Sequence, residues 1–241
     1  MVEQYITCDE VERAIWLLNN PPGWYRSNYP PQAKFLQDHL YKQFFTTLDY
    51  AENGTDVVGI FENTPHSLLL ENMKSERGSV ISDAVEKLNE QGIEPFIFEL
   101  GPGTYWVPQG LRAQGKKFKY FGPSLNPHLQ QAAKENLKEY WQEHAIRNQK
   151  SIFICFEMIE HLVNPSEIYH HYIKSETNAD TVLLSTPMYT FGGGMGEWHK
   201  NPLGHLRTYT PDEFSRFAHT HWPQHKWSIQ LGNVMCLRGE R

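Results

Sequence analysis

The stretch Phe96-Ile97-Phe98-Glu99-Leu100-Gly101-Pro102-Gly103-Thr104 decides the fold. A continuous apolar run, Phe96 to Leu100, passes directly into a glycine turn ahead of a helical pattern, as a strand buried on both faces does where it hands over to a crossover helix. Glycines there let the backbone turn sharply and approach a ligand with no Cβ in the way, while the helix start offers unpaired N–H groups. Downstream, the apolar runs Lys117 to Phe121, Ile152 to Phe156 and Thr181 to Ser185 alternate with helical segments, which predicts an α/β, doubly wound sheet. At the end, Trp227 to Leu231 and Val234 to Leu237 flank Gly232-Asn233, a spacing that predicts an antiparallel hairpin.

Upstream the texture is helical. Thr7 and Glu10 have capping-box spacing ahead of Val11, Ala14, Ile15 and Leu18, and Phe35, Leu36, Leu40, Phe44 and Leu48 form a second apolar stripe. Val80 to Asn89 is a third predicted helix, with Ser79 as its cap; residues 50 to 78 are ambiguous. The expected organisation is a helical amino-terminal extension or lid over residues 1–92 and a core over 93–241.

Composition narrows the function. A net charge of −6, without a long block of like charge, argues against strong nucleic-acid binding. Apolar stretches fall far short of the roughly 18 residues that a membrane span needs, and Met1 to Asp9 lacks a secretory pattern, so a cytoplasmic chain with no membrane partner is expected. Three scattered cysteines, Cys8, Cys155 and Cys236, predict neither a disulfide framework nor a thiolate cluster. The basic cluster Arg112, Lys116, Lys117 and Lys119 reads as a solvated edge rather than an RNA track, and the histidines from His219 to His225 as mostly solvent-facing.

The glycine turn is accompanied by Tyr120-Phe121-Gly122 to Pro127, Phe156-Glu157-Met158-Ile159-Glu160-His161-Leu162, Leu184-Ser185-Thr186-Pro187, and Gly204-His205-Leu206-Arg207 leading into Tyr209 to Phe214. In this order the segments resemble the class I S-adenosylmethionine-dependent methyltransferases, of the type 11/23-like kind, over roughly residues 93 to 240. The resemblance implies a Rossmann-like methyltransferase sheet ending in an antiparallel hairpin. It also implies that Glu99, Gly101, Pro102, Gly103, Ser124 and Phe156 contact S-adenosylmethionine, the glycine loop cradling the methionyl part and Glu99 lying near its amino group. Three departures stand out. Ser124 occupies the place of the acid that usually holds the ribose hydroxyls, Tyr105 replaces the third glycine, and only about 25 residues separate Asn126 from the strand at Ile152, barely room for one crossover helix. The family's third strand is therefore expected to be shortened or missing.

Glu157, Glu160 and His161 are spaced i, i+3 and i+4, so a helical turn would bring them to one face. Two carboxylates and an imidazole suit a divalent metal ion, with His205 as a fourth ligand. The Glu-x-x-Glu-His pattern with a later histidine is similar to that of metal-dependent O-methyltransferases, including those acting on the terminal ribose of small RNAs. Two readings stand. In one, Glu157, Glu160, His161 and His205 hold a metal ion that lowers the pKa of an acceptor hydroxyl; in the other, His161, His205 and Glu160 form a hydrogen-bonded base cluster. The expected activity is O-methylation of a small-molecule or sugar hydroxyl. The alternatives are a metal-dependent RNA ribose 2′-O-methyltransferase and a non-catalytic methyltransferase-like binding protein. Among the lower-weighted features, the glycine-rich segment Phe191 to Gly196, Trp198, His199 and the aromatic loop Trp24, Tyr25 and Tyr29 are candidates for lining or covering an acceptor pocket.

Overall fold

The computed structural model describes residues 54–124, 127–161, 179–187, 209–232 and 234–241, the side chains of 54–58, 127 and 161 excepted. The two expected helices before residue 50, the glycine-rich segment and His205 lie outside them. Among the described residues three helices come first: α1 (Gly54–Asn63), α2 (His66–Asn72) and α3 (Glu76–Glu90). The sheet and its crossovers follow as β1 (Phe96–Leu100), α4 (Trp106–Ala113), β2 (Lys119–Phe121), α5 (Pro127–Asn136), β3 (Ser151–Phe156), a 3-10 turn (Ile159–His161) and β4 (Thr181–Pro187). The chain then runs through α6 (Pro211–His221), β5 (Lys226–Leu231) and β6 (Val234–Glu240). No helix among the described residues is long and apolar enough to cross a membrane.

The six strands lie in the order β2-β1-β3-β4-β6-β5. β2, β1, β3 and β4 are parallel, and β6 enters antiparallel between β4 and β5. This is the doubly wound sheet with a terminal antiparallel hairpin that the alternating apolar runs predict. Successive residues of the central strands feed opposite faces. Phe96, Phe98, Phe153, Cys155, Val182 and Leu184 pack with Phe214, Phe217 and Trp222 of the α6 side. Ile97, Ile152, Ile154 and Leu183 pack with Ile81 and Val85 of α3, Leu111 of α4 and Leu129 of α5. Buried from both faces, β1 shows no polar alternation.

The expected loss of a strand is visible at the β2 margin. Among the described residues, what lies beyond β2 is one isolated parallel bridge, Tyr120 to Trp141. The Tyr120 N–H donates to the Tyr140 carbonyl at 2.7 Å, and the Gln142 N–H to the Tyr120 carbonyl at 3.0 Å. Aromatic volume stands in for the missing ladder, with Trp141 against Tyr105, Tyr120 and Phe121.

Two boundaries differ from the sequence reading. α3 begins at Glu76 rather than Val80, because Ser75 is the cap and accepts from the Gly78 N–H at 3.2 Å, while the Ser79 hydroxyl donates back to the Glu76 carbonyl. β2 begins at Lys119 rather than Lys117, since the Asn89 side-chain amide takes both the N–H and the carbonyl of Lys117. The basic cluster is a neutralised edge: Lys116 pairs with Glu86, Lys119 lies 3.8 Å from Glu94, and Arg112 donates to Asn136 Oδ1 at 2.7 Å. His221 departs from the solvent-facing expectation. It is 7% exposed and lies edge-on to Phe217.

Candidate active site

The chain runs from β1 outward to β2 and returns to β3 on the other side of β1, so the carboxyl ends of β1 and β3 flank a topological switch point. Open α/β sheets bind ligands in the crevice at such a point. The glycine turn ends β1 there. Gly101 and Gly103 have φ of +71° and +53°, the left-handed region that favours glycine. A Cβ on Gly101 would stand 2.6 Å from the sulfur of Met158, so the loop after β3 packs closely against the loop after β1.

Glu99, 2% exposed, precedes this turn. Burial pushes its carboxyl up to about 7, opposed by the Tyr120 hydroxyl, which donates to Glu99 Oε2 at 2.6 Å, and by the charge of Arg77. Arg77, in the first turn of α3, lies 5.7 Å from the ring centroid of Trp106, and Trp106 stacks in turn on Phe156. Its position follows from Gly78: a Cβ there would overlap the Asn72 carbonyl and the backbone of Met73, so only glycine lets α3 approach the end of α2 this closely.

Tyr105, in the place of the third glycine, keeps a left-handed backbone with φ of +56°. For a residue with a side chain that costs about 1–2 kcal/mol. The fully buried ring lies against Phe61, Tyr120 and Trp141, and such burial returns roughly 1.5–3 kcal/mol. Its hydroxyl donates to the Gly122 carbonyl at 2.7 Å. Ser124 is half-buried, and its N–H donates to Gln130 Oε1 at 2.9 Å.

Glu157 and Glu160 follow β3. The segment does not form the α-helical turn that would put Glu157, Glu160 and His161 on one face. Glu157 sits before the 3-10 turn with φ of +50°, held by bonds from its N–H to the Ser185 carbonyl and hydroxyl. Ser185 also donates to Glu157 Oε1 at 2.7 Å, and Thr186 donates to Glu160 Oε2 at 3.3 Å. Burial raises both carboxyls, Glu160 well above the ordinary range, and the charge of Glu157 raises Glu160 further. Burial of this kind favours the protonated form of each acid.

Of the residues singled out from sequence, Glu99, Gly101, Pro102, Gly103, Phe156, Glu157 and Glu160 gather at the ends of β1 and β3, and Ser124 follows β2. The side chain of His161 and all of His205 lie outside the described residues. Among the described residues no three His, Cys, Asp or Glu side chains are arranged to hold a metal ion, so the carboxylate pair accounts for half of the proposed ligand set. Sequence reasoning missed Arg77, Trp106 and Tyr120. Tyr120 falls in an apolar strand, and Arg77 lies in a polar stretch with no periodicity.

No protein-family model matches the chain, and no curated protein matches it. Solved structures resemble it in fold. An O-methyltransferase family protein from Burkholderia thailandensis aligns with 97% of this chain and 71% of its own at 11% identity and a TM-score of 0.50. The methyltransferase domain of a bacterial CtHen1 aligns with 71% of this chain and all of its own at 15% identity and a TM-score of 0.47. A SAM-dependent methyltransferase from Aquifex aeolicus covers 73% of this chain and 97% of its own at 10% identity and a TM-score of 0.42. The fold is the Rossmann-like methyltransferase fold.

Proposed function

We propose that the chain is an S-adenosylmethionine-dependent methyltransferase that methylates a hydroxyl of a small molecule or sugar. The observation that carries this reading is Glu99: a buried acid at the switch point, beside a turn with two left-handed glycines, held by a phenol and lowered by the charge of Arg77. A buried carboxyl balanced near neutrality suits an incoming ammonium, whose charge would draw it into its ionised form. Gly101, Pro102 and Gly103 would let the methionyl part approach the backbone, with Phe156 and Ser124 at its flanks. Bound S-adenosylmethionine supplies an electrophilic methyl group on a sulfonium sulfur.

The residues after β3 would serve the acceptor. Glu160, raised by burial and by Glu157, would take up the proton of the acceptor hydroxyl, with His161 and His205 beside it. Most of the acceleration would come from holding acceptor oxygen, methyl carbon and sulfur in line. Residues 1–92 would form a helical extension bordering the acceptor.

A second reading is favoured by the carboxylate pair, whose repulsion a divalent ion would relieve. Glu157, Glu160, His161 and His205 would hold that ion, which would acidify an acceptor hydroxyl such as an RNA 2′-OH. The paired edge lysines and the net charge of −6 count against an RNA substrate. Elemental analysis of the purified chain and of Glu160→Ala separates the readings: metal in the parent that the variant loses supports the ion, and a metal-free parent retires it. The primary test is calorimetric titration with S-adenosylhomocysteine, followed by a mass-spectrometric screen of hydroxylated acceptors. No heat and no thermal shift at millimolar ligand ends the enzymatic reading.

A further inference from the structure

Tyr120 reaches Glu99 through an arrangement that the sheet and its margin fix together. In the parallel pairing of β1 with β2, Ile97 stands opposite Tyr120. Glu99 lies two residues beyond Ile97 and so shares its face of the sheet, diagonal to Tyr120. To reach it, the phenol must lean forward along β2, past Gly122. That path exists because Gly122 has no side chain: a Cβ there would overlap the Tyr120 hydroxyl and stand 2.9 Å from its Cζ. The backbone of Tyr120 is clamped from the other side, its N–H by the Tyr140 carbonyl and its carbonyl by the Gln142 N–H. Tyr105 and Trp141 meet the ring edge-on, at 6.1 and 6.3 Å between centroids.

The result is a buried carboxylate with one oxygen occupied. Tyr120 donates to Glu99 Oε2 at 2.6 Å, in the range of a charge-assisted bond. No described residue donates to Oε1. The nearby phenol of Tyr105 is no substitute, because its single proton goes to the Gly122 carbonyl at 2.7 Å. A buried carboxylate with one donor is under-satisfied, and a ligand group that brings both N–H donors and positive charge meets that deficit. A primary ammonium does so; a neutral hydroxyl brings a donor without the charge.

We propose that Tyr120 is a positioning residue that sets ligand specificity at the glycine turn: by occupying Oε2 it presents Oε1 of Glu99 to a primary ammonium, so that the site selects the amino-bearing form of a sulfur nucleoside. The inference rests on the methyltransferase reading above. It also gives the single bridge at Trp141 a function, since the backbone bonds beside it stop β2 from carrying the phenol away from the acid.

The test measures calorimetric binding of S-adenosylhomocysteine, and of its analogue lacking the α-amino group, to the full chain. The parent is expected to prefer the amino form by roughly 10–100-fold, the value of a hydrogen bond to a charged group. Tyr120→Phe keeps the ring contacts and is expected to cut that preference about fivefold, while affinity for the deaminated ligand stays within about twofold. In a Glu99→Gln background, Tyr120→Phe should change the preference no further. Gly122→Ala, which leaves the phenol in the chain but pushes it off Glu99, should lower the preference in the same sense. Full preference in both single variants at position 120 and 122, or an equal loss for both ligands, overturns the assignment while the methyltransferase reading stands. A parent that binds both ligands equally also overturns it and leaves nucleoside binding intact. If the parent binds no S-adenosylhomocysteine, both fall.

Discussion

The acid that ends β1 and the pair of acids that follow β3 share the carboxyl edge of one sheet, yet they are held in opposite ways. Glu99 has a phenol at 2.6 Å, and the charge of Arg77 lowers its carboxyl against burial. Glu157 and Glu160 have aliphatic hydroxyls as donors, repel one another, and hang from a left-handed backbone residue. The difference teaches a division of labour. Under the proposed function, the single acid held by a phenol would recognise a charge, whereas the two buried acids, of which Glu157 raises Glu160, would hold and release a proton. The charge of Arg77 lowers all three carboxyls against burial.

If the division holds, Glu160→Gln lowers methyl transfer by about 10²–10⁴-fold while affinity for S-adenosylhomocysteine stays within about twofold; single-turnover rates and calorimetry read the two separately. An equal loss of affinity would break the comparison. Gly78→Ala acts on both halves at once, because it forces α3 away from α2 and carries Arg77 with it. It should cost more than about 3 kcal/mol in denaturant unfolding, at the upper end for overpacking against backbone.

The pH dependence of stability sharpens the contrast. A carboxyl raised on folding favours the folded state below its unfolded pKa, and that contribution is lost as pH rises through the folded value. For Glu99, raised from 4.5 to about 7, this amounts to on the order of 3 kcal/mol lost between about pH 4.5 and pH 7. Glu157 and Glu160 add losses of the same sign. Unfolding of the ligand-free chain across this range should show the decline, and Glu99→Gln should flatten it. The smallest effect belongs to Tyr120→Phe, which removes the donor that steadies ionised Glu99. It should cost about 1 kcal/mol at alkaline pH and shift the decline to higher pH.

How far these features can be read from sequence depends on how local their causes are. β1 is legible because burial on both faces leaves an unbroken apolar run, and the glycine turn because positive φ selects glycine. Glu99, Glu157 and Glu160 stand out as acids at the ends of such runs. The start of β2 is hidden because Asn89, far away in the chain, competes for Lys117. Arg77 and Tyr120 are hidden for the same reason: their partners are set by packing of α3 and β2 against the sheet, and no spacing in the chain encodes it. Tyr105 looks like a broken motif in sequence; its bond to the Gly122 carbonyl, 17 residues on, shows only in the fold.

The single bridge at Trp141 has a consequence for how the molecule meets its neighbours in solution. In a parallel strand of three residues only the middle one turns its amide and carbonyl outward, and both of those groups on Tyr120 are already occupied. That margin offers no template on which a foreign strand could zip. The opposite margin is the longer β5, where Ile229 and Leu231 are 42% and 55% exposed, so any self-association through strand edges would begin there.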